Sequence, residues 1–327
     1  MKSLTTDKNI LITGGTGTWG QELTRQILKT DPAKIVIFSR GEAAQVVMKQ
    51  RFDDKRITFI IGDIRDFDAL NHAFVDIDIV FHTAALKHVN KCEQQPREAV
   101  KSNIVGTQNV IEACFENMVD ICVNISTDKV CDANCFYGKT KAIAEGLITE
   151  ANNHSFHTDF FSVRSGNILG SAGSVIPIWI SNIASSNEIK LTDPGMKRFF
   201  ITISEAVRLT LKAMTISDRG EVFVFKMPAF KVSDLANLVI QKYGNGLTKI
   251  NNIGLMPGER LIEWLITNEE AIRSVSLPDY YVIYPLCQIS NTEYPEIKEP
   301  LDKGYCMNDY DKSDIEVLNK MLFQAGY

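Results

Sequence analysis

Residues 9–20 read Asn9-Ile10-Leu11-Ile12-Thr13-Gly14-Gly15-Thr16-Gly17-Thr18-Trp19-Gly20. The apolar run 9–13 predicts a short buried strand, and the amphipathic pattern after it predicts a helix to about Lys29. The glycines between these elements follow the pattern Gly-x-x-Gly-x-x-Gly, which permits a tight turn and close approach of a pyrophosphate to the helix N-terminus. The stretch therefore predicts a dinucleotide-binding site that is lined by Gly14, Thr16, Gly17, Thr18, Trp19 and Gly20.

The alternation of strand and helix continues through the first half of the chain. Apolar runs that predict further strands lie at 34–38, 58–64, 77–82, 121–125 and 159–163. Such alternation is typical of a parallel sheet with helices on both faces. We therefore predict an α/β fold, with a Rossmann-like doubly wound parallel sheet over residues 1–170. Beyond Ser171 the alternation fades, and residues 171–327 are expected to form a smaller, mainly substrate-binding C-terminal lobe that is interleaved with the first domain.

A second informative stretch follows the strand at 121–125. Residues 126–129 (Ser-Thr-Asp-Lys) lie at the carboxyl end of that strand, where open α/β sheets bind ligands. Tyr137 and Lys141 are four residues apart, so a helix presents both on one face. A tyrosine with a pKa of about 10 deprotonates a hydroxyl near neutral pH only if its phenolate is stabilised by roughly 4 kcal/mol. The Lys141 cation and a positively charged nicotinamide would supply this, so we predict that Tyr137 starts a hydride transfer.

The end of the second predicted strand favours NADP over NAD. NAD sites usually have a carboxylate there for the ribose 2′-hydroxyl. This chain has Ser39-Arg40 instead, and a hydroxyl with a guanidinium suits a 2′-phosphate. Glu42 lies beyond the usual position and keeps NAD as an alternative. The other residues that we assign to the cofactor site are Asp63, Ile64, Ala84, Ala85, Lys87, Asn103, Ser126, Tyr137 and Lys141.

Composition argues against several classes of protein. The 327 residues are 45% hydrophobic and 23% charged, as in ordinary globular proteins, and a net charge of −5 offers no attraction to nucleic acid or anionic membranes. The first eight residues do not resemble a signal peptide, and no apolar run reaches the about 18 residues of a membrane span. None of the seven cysteines has metal-ligand spacing. We expect a cytoplasmic protein with reduced thiols and no metal site.

These motifs resemble those of the extended short-chain dehydrogenase/reductase superfamily. More narrowly, they resemble the short UDP-N-acetylglucosamine 4,6-dehydratases of polysaccharide and nonulosonic acid biosynthesis, over nearly the whole chain. Asp128-Lys129 is the most specific feature, because dehydratases of glucose typically have Asp-Glu there and simple epimerases have neither pair. The other matching segments are Ala85-Leu86-Lys87-His88-Val89, Lys101-Ser102-Asn103-Ile104-Val105-Gly106, Gly166-Asn167, Lys197-Arg198-Phe199 and Pro257-Gly258-Glu259-Arg260.

The resemblance implies a reaction on a UDP-sugar. Tyr137 would deprotonate the C4 hydroxyl, with Thr127 hydrogen-bonded to the C4 oxygen and Lys141 orienting Tyr137. Hydride would pass from C4 to the nicotinamide and return to C6. Lys129 would remove the C5 proton, for which burial should lower its pKa. Asp128 would protonate the leaving C6 hydroxyl, for which its pKa should be raised. The implied substrate-binding residues are Lys87, Asn167, Val175, Pro177, Arg198 and Arg260.

Two departures from the family pattern leave the exact hexose and the nucleotide contact open. Ser165 stands where relatives have an aromatic residue, and Met256 stands where they often have an arginine that would bind diphosphate. Arg260 is the candidate to compensate for that arginine. Inversion at C5 is favoured over retention by the resemblance alone.

Two other functions and an assembly follow from the same motifs. A sugar-nucleotide 4-epimerase needs only Thr127, Tyr137 and Lys141, and would leave the Asp128-Lys129 pair unexplained. A non-catalytic NADP-binding regulator commonly lacks the tyrosine or the lysine, both of which are present here. Residues 96–117 and 137–152 resemble the helices of the superfamily's four-helix dimer interface, so we expect a homo-oligomer, either a dimer or a larger ring.

Overall fold

A nine-stranded sheet forms the centre of the structure, a computed structural model that describes residues 4–287, 300–307 and 314–327. Its order is β14-β15-β10-β6-β5-β4-β1-β2-β3. The strands in chain order are β1 Asn9–Thr13, β2 Lys34–Ser39, β3 Ile57–Ile61, β4 Ile79–His82, β5 Ile121–Thr127, β6 Asp159–Ser165, β7 Asn167–Ile168, β8 Glu188–Leu191, β9 Lys197–Ile201, β10 Val222–Phe225, β11 Ala229–Lys231, β12 Lys249–Asn252, β13 Trp264–Ile266, β14 Ser274–Ser276, β15 Tyr280–Ile283 and β16 Tyr305–Cys306.

The sheet from β3 to β10 is parallel, and β15 pairs antiparallel with both of its neighbours. The order β3-β2-β1-β4-β5-β6 is that of doubly wound dinucleotide-binding folds, in which ligands bind where the strand order reverses, here between β1 and β4. The predicted fold class is therefore confirmed. Three strands from beyond residue 170, β10, β14 and β15, complete this sheet. The division of the chain at residue 170 stays a prediction.

Helices cover both faces of the sheet because alternate side chains of each strand point to opposite sides. Ile10 and Ile12 of β1 pack in one buried cluster, whereas Leu11 packs in another. A third buried cluster joins α8, β8, α10 and α12 outside the sheet. The helices are α1 Thr18–Ile27, α2 Glu42–Phe52, α3 Phe67–Ala73, α4 Val89–Gln94, α5 Pro96–Val100, α6 Gly106–Glu116, α7 Phe136–Ala151, α8 Val175–Ser186, α9 Ile203–Ala213, α10 Val232–Tyr243, α11 Asn268–Ala271 and α12 Ile315–Gln324.

Some predicted element boundaries are wrong. The third strand ends at Ile61, and Gly62 and Asp63 follow it in a loop. Strand β8, Glu188–Leu191, lies where no strand was predicted. The single helix predicted from Pro96 to about Asn117 is divided by a π-helical turn over 101–105. Within the described residues, every helix is too short or too polar to cross a bilayer.

Candidate active site

A cavity of about 810 Å³ lies at the carboxyl ends of the parallel strands, across the point where the strand order reverses. The loop after β1 allows a ligand to approach the backbone closely. Gly14 has φ +66°, and a Cβ there would lie 2.8 Å from Ala84 Cα. Gly17 is the N-cap of α1 and provides no capping side chain, so the helix N-terminus is open to an anion. The predicted residues that line the cavity are Gly14, Thr16, Gly17, Thr18, Trp19, Ser39, Arg40, Asp63, Ile64, Ala84, Ala85, Lys87, Ser126, Thr127, Lys129, Tyr137, Lys141 and Asn167.

The end of β2 presents Ser39 and Arg40 to this cavity. The Ser39 hydroxyl is fixed by Gln45 of α2, whose Nε2 donates to Ser39 Oγ at 3.0 Å. Arg40 is 61% exposed in its side chain and lies 3.9 Å from Asp63 Oδ2. Asp63 is mainly engaged by Arg65, which donates to it at 2.6 Å. The Arg40 guanidinium is therefore held loosely, and its neighbours leave it able to bind a phosphate.

Strand β5 ends with Ser126 and Thr127, and both residues line the cavity. The Ser126 hydroxyl donates to Glu145 Oε2 at 2.5 Å, which ties the strand end to α7. After Thr127 the chain enters a 3₁₀ turn over Asp128–Val130, and the Thr127 hydroxyl donates to Asp128 Oδ1 at 2.9 Å. The Lys129 Nζ donates to the same carboxylate oxygen at 3.0 Å.

Tyr137 and Lys141 lie on the first turns of α7 and both line the cavity, as their spacing predicts. Burial raises the pKa of Tyr137 to about 12, although the Lys129 cation and a hydrogen bond with Thr127 oppose this. Burial lowers the pKa of Lys141 to about 8, against the attraction of Glu145. The described residues therefore do not by themselves lower the pKa of Tyr137.

A buried cluster of two acids and two cations lies beside Tyr137. Glu263 Oε1 is 3.3 Å from Lys129 Nζ and 3.4 Å from Arg198 Nε. Both Asp128 and Glu263 are buried, with 2% and 8% of their surfaces exposed. In the described residues, Asp128 Oδ2 and Glu263 Oε2 have no hydrogen-bond donor. Burying two carboxylate oxygens without a donor costs free energy of folding, and a proton on one of the two groups reduces that cost.

The electrostatics of this cluster confirm one prediction and contradict another. Burial and the Glu263 carboxylate raise the pKa of Asp128 to about 7, the direction expected for an acid. Burial alone would lower the pKa of Lys129, but Asp128 and Glu263 outweigh it and the pKa rises above its ordinary value. The prediction that burial makes Lys129 neutral is therefore wrong, because two buried carboxylates lie near the amine: Asp128 of the turn at 3.0 Å and Glu263, just before β13, at 3.3 Å.

A second cavity of about 500 Å³ adjoins the first, and His88, Lys129 and Asn167 line both. Arg198 and Glu263 line only the second cavity, together with Gly258 and Glu259. Lys87 Nζ donates to the Ala172 carbonyl at 2.9 Å. The structure thus places Asn167 and Arg198 with Lys129 around the second cavity.

Other predicted residues lie outside both cavities. Asn103 is buried behind the loop after β4, where its Oδ1 accepts from Leu86 N at 2.7 Å. Arg260 donates to Asp132 Oδ2 at 2.9 Å instead of facing the site. Asn103 therefore holds the loop after β4 and does not line the cavity, and Arg260 is occupied by an ion pair. The predicted residues without a place in either cavity lining are Gly20, Asn103, Asp128, Val175, Pro177 and Arg260.

Glu263 and the buried ion pairs of Arg164 were not among the predicted site residues. Arg164 is 1% exposed, and its guanidinium donates to Glu145 at 2.5 Å and to Glu270 at 2.7 Å. It also contacts Cys131 Sγ at 3.1 Å. One signal for Glu263 was available, since it is the single charged residue in the apolar run 261–266. An acid in such a run needs a buried partner.

Comparisons with known proteins agree with this geometry. Residues 10–285 match the family model described as polysaccharide biosynthesis protein. A UDP-N-acetylglucosamine 4,6-dehydratase (inverting) of Campylobacter jejuni is 39% identical over 290 residues, which is 88% of this chain and 85% of that protein. A UDP-glucose 4-epimerase of Rickettsia bellii is 39% identical over 98% of this chain and 97% of its own. The X-ray structure of Pen from Bacillus thuringiensis matches with a TM-score of 0.91 and 39% identity, over 99% of each chain.

Proposed function

The chain belongs to the polysaccharide biosynthesis protein family within the extended short-chain dehydrogenases/reductases, and is an enzyme of the sugar-nucleotide dehydratase and epimerase kind; from this we propose that it is an NADP-dependent 4,6-dehydratase of UDP-N-acetylglucosamine. The product is a UDP-4-keto-6-deoxy-N-acetylhexosamine. The observation that supports this most directly is the buried Asp128–Lys129 contact beside Tyr137. Epimerisation at C4 needs no second acid and base, whereas elimination of water across C5 and C6 needs both.

Each catalytic residue has its own task in the proposed reaction. Tyr137 takes the proton of the C4 hydroxyl, and Thr127 hydrogen-bonds the C4 oxygen. A bound nicotinamide would accept hydride from C4 and return it to C6. With C4 oxidised, Lys129 takes the acidified C5 proton, while Asp128 gives its proton to the C6 hydroxyl, which leaves as water. Lys141 orients Tyr137 and the cofactor ribose.

The cofactor site fits a dinucleotide with a 2′-phosphate. The Gly14 turn and the uncapped start of α1 suit the pyrophosphate. Ser39 and the loosely held Arg40 suit the 2′-phosphate, because a guanidinium forms strong charge-assisted hydrogen bonds with it. NAD is the alternative, since Glu42 begins α2 nearby. We assign Lys87, Asn167, Val175, Pro177, Arg198 and Arg260 to the substrate as proposals from the resemblance.

The main competing function is 4-epimerisation, the activity named for the Rickettsia relative. It would use Thr127, Tyr137 and Lys141 and leave the buried Asp128, with its pKa raised to about 7, without a task. A purely regulatory NADP-binding protein would likewise leave the whole Tyr137–Lys129 arrangement unused. Inversion at C5, a cytoplasmic location and a homo-oligomeric state remain part of the proposal on the strength of the family resemblance.

Incubating the protein with NADP and UDP-N-acetylglucosamine tests the proposal. We expect a product that is lighter by one water in the mass spectrum, with a C6 methyl group in the NMR spectrum. When the reaction is run in D₂O, C5 should carry one solvent deuterium. The NMR spectrum also gives the C5 configuration. A product of unchanged mass would support the epimerase. A dehydrated product that retains a C5=C6 double bond and a C4 hydroxyl would contradict the return of hydride to C6.

A further inference from the structure

The Asp128–Glu263 contact has no assigned task in the reaction above. Asp128 Oδ1 already accepts from Thr127 at 2.9 Å and from Lys129 at 3.0 Å. Its Oδ2 and Glu263 Oε2 are both buried and have no donor in the described residues. A hydrogen bond between the two carboxyl groups favours the protonated form of Asp128 and the anionic form of Glu263. A proton that Asp128 takes up is therefore stabilised by the Glu263 carboxylate.

Glu263 keeps its charge because cations surround it. Burial alone would raise the pKa of Glu263, but Lys129 and Arg198 lower it to about 2. The groups that face Asp128 and Glu263 are Lys129 and Cys131 of the same loop, Tyr137 of α7 and Arg198 of β9. Of the two acids, Asp128 is thus the one that holds the proton.

We propose that Glu263 is a positioning residue for the dehydration, which keeps a proton on Asp128 for delivery to the C6 hydroxyl and anchors Lys129 at C5. This inference deepens the proposed 4,6-dehydratase function and rests on it. The 3.0 Å contact between Lys129 Nζ and Asp128 Oδ1 is the route for one proton. When Asp128 is an anion, this proton can move to it from the Lys129 cation. The lysine then becomes a neutral amine and the aspartate an acid, which are the two forms that elimination needs.

The elimination then balances within this cluster. Lys129 Nζ takes the C5 proton, and the electron pair of the C5–H bond forms the C5=C6 double bond. The C6–O bond breaks, and the Asp128 proton leaves with the oxygen as water. Lys129 is then a cation and Asp128 an anion, and transfer of one proton between them restores the starting forms. Glu263 remains an anion throughout.

Glu263→Gln tests this proposal because it removes the charge and keeps the shape. Asp128 can take the Lys129 proton only while it is an anion, so kcat rises with pH through the Asp128 pKa of about 7. Without the Glu263 anion that pKa falls, so this acid limb of the kcat profile should move to lower pH by one unit or more. Above the limb, Asp128 takes the lysine proton less readily, so kcat should fall by up to about tenfold for each unit, with KM within about twofold. Glu263→Asp should keep the limb near its original position.

The matched control is Glu269→Gln, which makes the same charge change at an exposed position of α11 and should leave the profile unchanged. An unmoved acid limb in Glu263→Gln, seen as a loss of activity that is equal at every pH, would overturn the proposal. Circular dichroism checks folding, and Glu263→Asp provides the test if the glutamine variant does not fold.

A measurement without substrate separates this inference from the proposed function. A protonated buried carboxyl has its own infrared carbonyl band, which should be absent from Asp128→Asn. The pH at which the band disappears should be lower in Glu263→Gln than in the original protein. If the protein forms no dehydrated product but the band shifts, the proposed function fails and the carboxyl pair stands. If dehydration occurs and neither the band nor the limb shifts, only the role of Glu263 fails.

Discussion

At the scale of single residues, Asp128 and Lys129 are adjacent in the chain but have different tasks in the proposed reaction. Lys129→Met removes the C5 base and leaves Tyr137 in place. This variant should still oxidise C4 but stop before elimination, so reduced cofactor should accumulate and be visible by its absorbance. Solvent deuterium should no longer enter C5. Full dehydratase activity in Lys129→Met would show that another group near C5, with Lys87 the first candidate, is the base.

The partner variant Asp128→Asn separates the acid from the base. It should permit deuterium exchange at C5, because the pKa of Lys129 falls without the Asp128 anion. It should slow the loss of water by about 10²–10⁴-fold, the usual contribution of a positioned acid. Tyr137→Phe is the control for the first step, because it should block hydride transfer and so leave no reduced cofactor. Equal losses of exchange and dehydration in Asp128→Asn would argue against a separate acid.

In our proposal, Arg40 determines the preference for NADP over NAD. Arg40→Ala removes a guanidinium that the protein itself holds only at 3.9 Å from Asp63. The dissociation constant for NADP should rise at least about tenfold, as expected for loss of a charge-assisted hydrogen bond of 1.5–3 kcal/mol. The constant for NAD should change by less than about twofold. Fluorescence titration with both dinucleotides measures this, and equal weakening would mean that Arg40 only stacks on the adenine.

The sequence predicted residues that share one element better than residues that meet through the fold. Tyr137 and Lys141 lie four residues apart on α7, and helical spacing alone brings them to one face. Glu263 and Lys129 come from distant parts of the chain, and only the packing of the lobe against the 3₁₀ turn brings them together. The charge state of Lys129 could not be predicted either, since it depends on that contact.

At the scale of elements, the approach of α7 to the 3₁₀ turn sets the catalytic geometry. A Cβ on Gly138 would lie 2.1 Å from the Lys129 carbonyl oxygen, which is backbone and cannot turn away. Gly138→Ala should therefore displace Tyr137 from the turn and lower kcat by about 10²-fold, since a shift of about 1 Å has such an effect. Overpacking should also lower the free energy of unfolding by about 1–3 kcal/mol.

Gly146→Ala is the matched control on the same helix. A Cβ at this exposed position meets no atom within 4 Å, so alanine should raise the free energy of unfolding by up to about 1 kcal/mol through helix propensity. Urea denaturation and steady-state kinetics measure both variants. Normal activity in Gly138→Ala would show that α7 can move away from the turn without cost to the site.

The elements themselves were predictable where hydrophobic periodicity was strong. The predicted first strand, residues 9–13, agrees with β1 at both ends. The π-helical turn at 101–105 has no such signal, because it depends on the packing of its neighbours α5 and α6. Strand β8 was missed because four residues with one exposed lysine are too short to separate from a turn.

At the scale of the whole molecule, the helices α6 and α7 leave apolar side chains on the surface. Val105, just before α6, is 39% exposed and Ile143 on α7 is 50% exposed. If these helices form the expected dimer interface, Ile143→Lys should shift the protein towards the monomer, because a charge would be buried at the contact. Light scattering at several concentrations measures this.

The control for assembly is Ile272→Lys, a change of the same kind at a side chain that is 72% exposed just after α11. It should leave the assembly as it is. A protein that is already a monomer at working concentration would contradict the expected homo-oligomer. A dimer that Ile143→Lys does not weaken would show that a different surface forms the contact.

The central sheet is completed by strands that come late in the chain, and this has a consequence for synthesis on the ribosome. Strand β6 pairs with β5 on one side and with β10 on the other, and Phe160, Phe161 and Val163 are fully buried between its neighbours. When β6 leaves the exit tunnel, β10 has not yet been translated. An unpaired apolar strand edge is a template for pairing with another chain. Nascent chains on one polysome must therefore be kept apart, by chaperones or by slow elongation, until β10 and then β15 have emerged to close that edge.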